Sequence, residues 1–195
     1  MQPPAATLSL LALGAVLLGG CHSEPLPGDD GSSSVAGKTD SQRCDTSAAC
    51  SGWTGSASSS SLVGKPGDPE YNPPQNALDG DLTTSWSSGK PQAADEWYQL
   101  DFGQTLVVQS IELDLGADAS ASSYDDYPRG YFVRLSDTPN DETATVIASG
   151  RGKTPITHID LKGTAGRYVF IRQTVKDPHS WSIHELRAAV TWPAP

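Results

Sequence analysis

The chain has 195 residues and a formal net charge of -10, from 13 Lys and Arg against 23 Asp and Glu. So few cations argue against sequence-independent nucleic-acid binding and against docking on anionic lipid through a basic patch, since both need clustered Lys and Arg. Charged residues are only 18% of the chain, too few for a coiled coil, while 19 Gly and 15 Pro point to many turns.

In chain order, the first element is an uncharged run rich in Leu, Ala and Gly over residues 8–20, ending at Cys21. A helix of that length reaches roughly 20 Å, short of the ~30 Å hydrocarbon core of a bilayer, so it fits a signal-peptide apolar region better than a membrane span. The stretch LGGC at 18–21 resembles the bacterial lipoprotein signal, in which small residues precede a Cys that is lipidated and becomes the mature N-terminus. The resemblance implies a removed signal over 1–20 and an exported chain held on a lipid bilayer through acylated Cys21. With His22 rather than Asp after the Cys, it points to the outer membrane or cell surface. Without lipidation, Cys21 would be a free or paired thiol of a secreted chain.

Residues 21–51 follow as a linker. Residues 22–51 hold no aromatic residue, are dominated by Ser, Gly, Asp, Ala and Pro, and carry two Lys/Arg against five Asp/Glu. Such a stretch buries too little apolar surface to offset its ordering entropy and is predicted to be a flexible tether. If Cys21 carries lipid, Cys44 and Cys50 remain. In an oxidising compartment they form a small disulfide loop more readily than a two-Cys metal site.

All 14 aromatic residues lie at or after Trp53, so residues 52–195 are predicted to be one domain. Its periodicity is two. Tyr98, Leu100 and Phe102 alternate with Trp97, Gln99 and Asp101; Ile111, Leu113 and Leu115 alternate with Glu112 and Asp114. Further strands are predicted over 156–161, 168–171 and 182–192, with turns at Gly103 and Gln104, at 125–128, at 139–141 and at 163–166. No window suits an amphipathic helix, which leaves an all-β antiparallel sandwich or barrel.

Five segments then resemble, in order, the discoidin or coagulation factor 5/8 type C domain: NALDGDLTTSWSS (76–88), EWYQLDFG (96–103), YPRGYFV (127–133), GRYVFI (166–171) and SWSIHEL (180–186). The last has a form frequent in family-32 carbohydrate-binding modules. The resemblance implies an eight-stranded jelly-roll β-sandwich with Trp86 and Trp97 in its core, beside strand aromatics Tyr131, Tyr168 and Phe170.

Asp79-Gly80-Asp81 followed by two Thr is an oxygen-rich turn of the kind that suits Ca²⁺, although an ordinary turn capped by Asp81 reads the same way. The resemblance implies structural Ca²⁺ held by the Asn76 carbonyl, Asp79, Asp81, Thr84 and Glu185, with the His184 carbonyl as a sixth ligand. Sugar sites pair an aromatic face with polar groups for the hydroxyls. The candidates for glycan contact are Tyr124, Tyr127, Arg129, His179 and Trp181. Adjacent Asp125 and Asp126 do not make an acid/base pair by spacing, and no Ser-nucleophile, zinc or phosphate-loop motif occurs, so no catalysis is predicted. The function expected is membrane-anchored, calcium-supported carbohydrate binding. The alternative is an adhesion or protein-interaction module of the same fold.

Overall fold

A computed structural model describes the backbone of residues 42–44 and all atoms of residues 52–116 and 125–193. The predicted signal sequence, Cys21, Cys50, Tyr124 and the Cys44 side chain lie outside the described residues. The described residues fall in one compact unit, Lys38–Pro195.

Eleven strands are described: β1 (Gln42–Cys44), β2 (Thr54–Ala57), β3 (Ser61–Leu62), β4 (Tyr71–Asn72), β5 (Trp86–Ser87), β6 (Trp97–Asp114), β7 (Tyr131–Ser136), β8 (Val146–Gly150), β9 (Ile156–Gln173), β10 (Ser182–Ile183) and β11 (Glu185–Thr191). The helical element among them is a 3₁₀ turn, Pro74–Leu78. The main sheet runs β1-β11-β6-β9-β7-β8, with β2 also paired to β6; β5 with β10 and β3 with β4 form two small ladders.

The long strands β6 and β9 create the two layers. The first part of β6 pairs with β2 and with 168–172 of β9, and the second part with β11 and 156–166. Between them, residues 102–105 of β6 stand opposite Arg167 alone, and Gly103 takes a φ of 77° that favours glycine. The sequence predicts separate strands joined by a turn here. The structure instead bends one strand around a corner, because a bulge re-aims the chain without ending the ladder. Arg167 fixes that corner with two bonds to Asp101, from Nε at 2.8 Å and from its terminal nitrogen at 3.0 Å. The predicted 163–166 turn likewise lies inside β9, where Lys162 and Gly163 bulge with positive φ.

The period-two pattern fills the space between the layers. Tyr98, Leu100, Val169 and Ile171 from one half meet Ile111, Leu113, Ile159 and Leu186 from the other in a single buried cluster. Trp86 lies at its centre, fully buried, with Tyr98 at 5.0 Å and Trp181 at 4.8 Å edge-to-face. Trp97 is half-buried instead, packing on Phe170 at 5.6 Å. Tyr131 and Phe170 are buried, and Tyr168 is half-buried.

β1 comes from the stretch predicted to be tether. It pairs Gln42 with Val190 and Cys44 with Ala188, covering part of the β11 edge. Backbone pairing needs no apolar side chain, which is why composition did not reveal it.

Candidate functional site

The loops that carry the candidate residues gather around the start of β11. There Glu185 pairs with Asp114, and the segment before it, Ser182, donates its amide to Asp126 at 3.0 Å.

Two constellations occupy this region, and the first is the 76–84 loop. Asp79 accepts the Asp81 amide (2.9 Å) and the Thr84 hydroxyl (2.8 Å), closing the turn on itself. Gly80 sits at a φ of 80° and donates its amide to Glu185 at 2.9 Å. His184 Nδ1 donates to the Leu82 carbonyl at 2.8 Å, so the segment from β10 to β11 holds the loop at two points. Asn76 spans the loop base, donating its amide to the Tyr71 and Ser85 carbonyls. Asp81 turns its carboxylate onto the Thr83 amide and hydroxyl, which hold its pKa below the usual range.

Glu185 is 4% exposed. Burial pushes its pKa up to about 7, with the Asp79 and Asp114 charges adding to the rise and the Gly80 amide and Arg187 opposing it. A buried carboxylate facing Asp79 and a Thr hydroxyl is a hard-oxygen set that a divalent cation would suit. Among the described residues, no group of three or more His, Cys, Asp and Glu side chains converges as a metal site. An ion here would therefore rely on backbone carbonyls and the Thr84 hydroxyl beside Asp79 and Glu185.

The second constellation joins the loops 125–130 and 174–181. The Arg129 guanidinium lies 4.0 Å above the Tyr127 ring. It pairs with Asp177 at 3.0 Å through Nε and with Asp125 at 3.2 Å through a terminal nitrogen. Burial works against the Arg129 charge, but the Asp125 bond and the Asp177 charge outweigh it and hold the pKa above the ordinary value. His179 Nδ1 lies 2.7 Å from Asp177 and 3.3 Å from an Arg129 nitrogen. The shorter, charge-assisted contact assigns the Nδ1 proton to the Asp177 bond. The His179 amide, its imidazole and Arg129 together hold the Asp177 carboxyl below the usual range.

Asp126 points elsewhere, accepting the Ser180 (3.0 Å) and Ser182 (3.2 Å) hydroxyls. Burial raises its pKa while these bonds oppose the rise. The adjacent carboxylates thus serve different partners. Tyr127, Arg129 and His179 come together, with Asp125 and His179 the exposed members. Such a cluster offers charged donors and acceptors beside an aromatic ring, suited to vicinal hydroxyls.

Trp181 does not join them. The sequence predicts it in ligand contact, but its side chain is fully buried against Trp86, with its main chain bonded both ways to Ser88. This is a correction: the ring packs into the core against Trp86, and a Trp just ahead of the two-residue strand β10 has no side-chain period to show which way it faces.

Gln92, which the sequence does not single out, organises the cluster. At 2% exposure, its Nε2 donates to the Tyr127 (3.0 Å) and Ser180 (2.9 Å) carbonyls. Its Oε1 accepts the Arg129 amide (3.1 Å) and the Gln173 side chain (2.8 Å). Its own backbone bonds to His179 and Asp177. One amide thereby clamps both loops. Gln in a loop carries no spacing signal, so only the fold discloses this role.

The model of the F5/8 type C domain family matches residues 54–186. No curated protein matches the chain significantly. Among solved structures, chitosan-binding module 1 from a chitosanase/glucanase of Paenibacillus sp. IK-5 is 22% identical, covering 72% of this chain and 96% of its own, with a TM-score of 0.54. The family 32 module of NanJ from C. perfringens, in complex with galactose, is 18% identical over 70% of this chain and 92% of its own, TM-score 0.54. CpGH89CBM32-5 from Clostridium perfringens, in complex with GalNAc-β-1,3-galactose, is 14% identical over 70% and 94%, TM-score 0.57.

Proposed function

The chain belongs to the F5/8 type C domain family, and from that premise we propose that it is a non-catalytic module that binds glycans on the Tyr127–Arg129–His179 cluster. The observation that carries this reading is the Arg129 guanidinium, stacked at 4.0 Å on Tyr127 and paired with Asp125 and Asp177. An ordered cation–aromatic pair between charged acceptors can meet the hydroxyls and the apolar face of a pyranose with little reorganisation. The solved modules of this fold that carry galactose or GalNAc-β-1,3-galactose support the ligand class.

Two supporting roles belong to the same reading. Calcium held by Asp79 and Glu185, with Thr84 and the carbonyls of Asn76, Asp81 and His184, would neutralise the buried carboxylate and tie the 76–84 loop to the segment from β10 to β11. Lipid on Cys21 would hold the module at a membrane, where many copies turn weak single-site affinity into retention on a polymeric glycan.

The test is a titration of the full-length chain with Cys21→Ser, to keep it soluble, against galactose, N-acetylgalactosamine and glucosamine oligomers. Saturable binding to one of these, weakened at least tenfold by Arg129→Ala, supports the reading. Failure of all three, or binding indifferent to Arg129→Ala, overturns it.

A further inference from the structure

A cavity opens beside the 76–84 loop. It has a volume of about 520 Å³ and is lined by Pro69, Tyr71, Asn72, Asn76, Thr83 and Thr84, with Pro66 to Asp68 completing the wall. That volume lies within the range of small-ligand sites, about 300–1,000 Å³.

The wall is ordered by local bonds rather than by a ligand. Asp68 accepts the Lys65 amide on its carboxylate (3.0 Å), while the Tyr71 amide donates to the Asp68 carbonyl (3.0 Å). The Ser61 hydroxyl and the Val63 amide both donate to the Glu70 carbonyl. Pro66, Pro69 and Pro73 fix backbone φ along the same segment. A rim stiffened in this way loses little freedom when a ligand enters.

The chemistry of the lining selects the ligand. No Lys or Arg stands among the lining residues, which removes the usual anchor for an anion. The Thr83 hydroxyl already donates to Asp81, so towards the cavity it can only accept. Both amide hydrogens of Asn76 are spent on the Tyr71 and Ser85 carbonyls, leaving its oxygen as an acceptor. Tyr71 and Asn72 add a phenol ring and an amide. A cavity rich in acceptors and bordered by a ring and prolines suits an uncharged ligand with many hydroxyl donors and an apolar face.

We infer that this cavity is a second sugar site, so that one module engages two neutral pyranose units at separate places. The ligand class rests on the glycan reading above, whereas the place does not.

The experiment is ¹⁵N-resonance mapping on the full-length chain carrying Cys21→Ser, titrated with galactose and with N-acetylgalactosamine at millimolar concentration. The Asn72 and Asn76 side-chain amides report this cavity; the Arg129 Nε–H and Gln92 amide report the other cluster. Saturating shifts at Asn72 and Asn76 that persist in Arg129→Ala, with the Asn76 shift lost in Asn72→Ala, are expected. Shifts confined to Arg129 and Gln92 overturn the second site and leave the proposed function standing. Shifts confined to Asn72 and Asn76 sustain the second site while removing the Arg129 reading. No shift at either place with both sugars overturns this inference.

Discussion

Glu185 accepts a 2.9 Å hydrogen bond from the amide of Gly80, 105 positions earlier in the chain. The contact joins the last long strand to a loop whose turn is closed by Asp79 and Thr84, and it places a buried carboxylate against a second acid.

If calcium occupies this place, binding to the folded state alone stabilises it by about 2.7 kcal/mol at a hundredfold excess over Kd. For a domain of this size that is roughly 5–10 °C in Tm. Thermal unfolding followed by circular dichroism in calcium and in chelator should show that difference, and Glu185→Gln should remove it. Equal Tm values for the wild type in both buffers would count against the ion.

Gln92 supplies four side-chain bonds at the junction of two loops. Gln92→Ala leaves buried carbonyls unpaired and should cost about 1–3 kcal/mol in stability, read from chemical denaturation. The same variant should also weaken glycan binding, because it releases the backbone beneath Arg129. Unchanged binding in a destabilised variant would separate the two roles.

Two tryptophans close together in sequence should behave oppositely. Trp181 is fully buried and Trp192 is 59% exposed. Trp181→Ala should lose about 3–5 kcal/mol through the cavity it leaves. Trp192→Ala should stay within about 0.5 kcal/mol. Denaturant midpoints for the two variants decide the matter, and a small loss at Trp181 would place it outside the core.

The Asp101–Arg167 pair gives a signed pH effect. The Arg167 bond holds the Asp101 carboxyl below its ordinary value, against the opposing effect of burial. Its contribution is therefore complete above the unfolded carboxylate pKa, about 3.9, and is lost as pH falls through the lower folded value. Wild type should lose more Tm than Asp101→Asn between about pH 5 and pH 2. Parallel acid curves for the two proteins would show that the pair contributes nothing.

Period-two alternation made β6, β9 and β11 legible, because a half-buried strand must place every second residue in the core. The same logic failed at Gly103 and at Lys162 and Gly163, where turn-like residues bend continuing strands. Chain composition alone cannot distinguish a bulge from a turn, since both need the same backbone freedom.

By itself, then, the sequence determined the all-β class, the apolar faces of the long strands and the residue types of the 76–84 loop. Those are local properties, set by side-chain period and turn chemistry within a few residues. Only the tertiary structure decided that Trp181 is core, that Gln92 clamps two loops, that Tyr127, Arg129 and His179 meet, and that Glu185 reaches Gly80. Each depends on residues 35 to 105 positions apart. Such contacts form only when the layers close, and no local pattern records which distant partner a buried polar group will find.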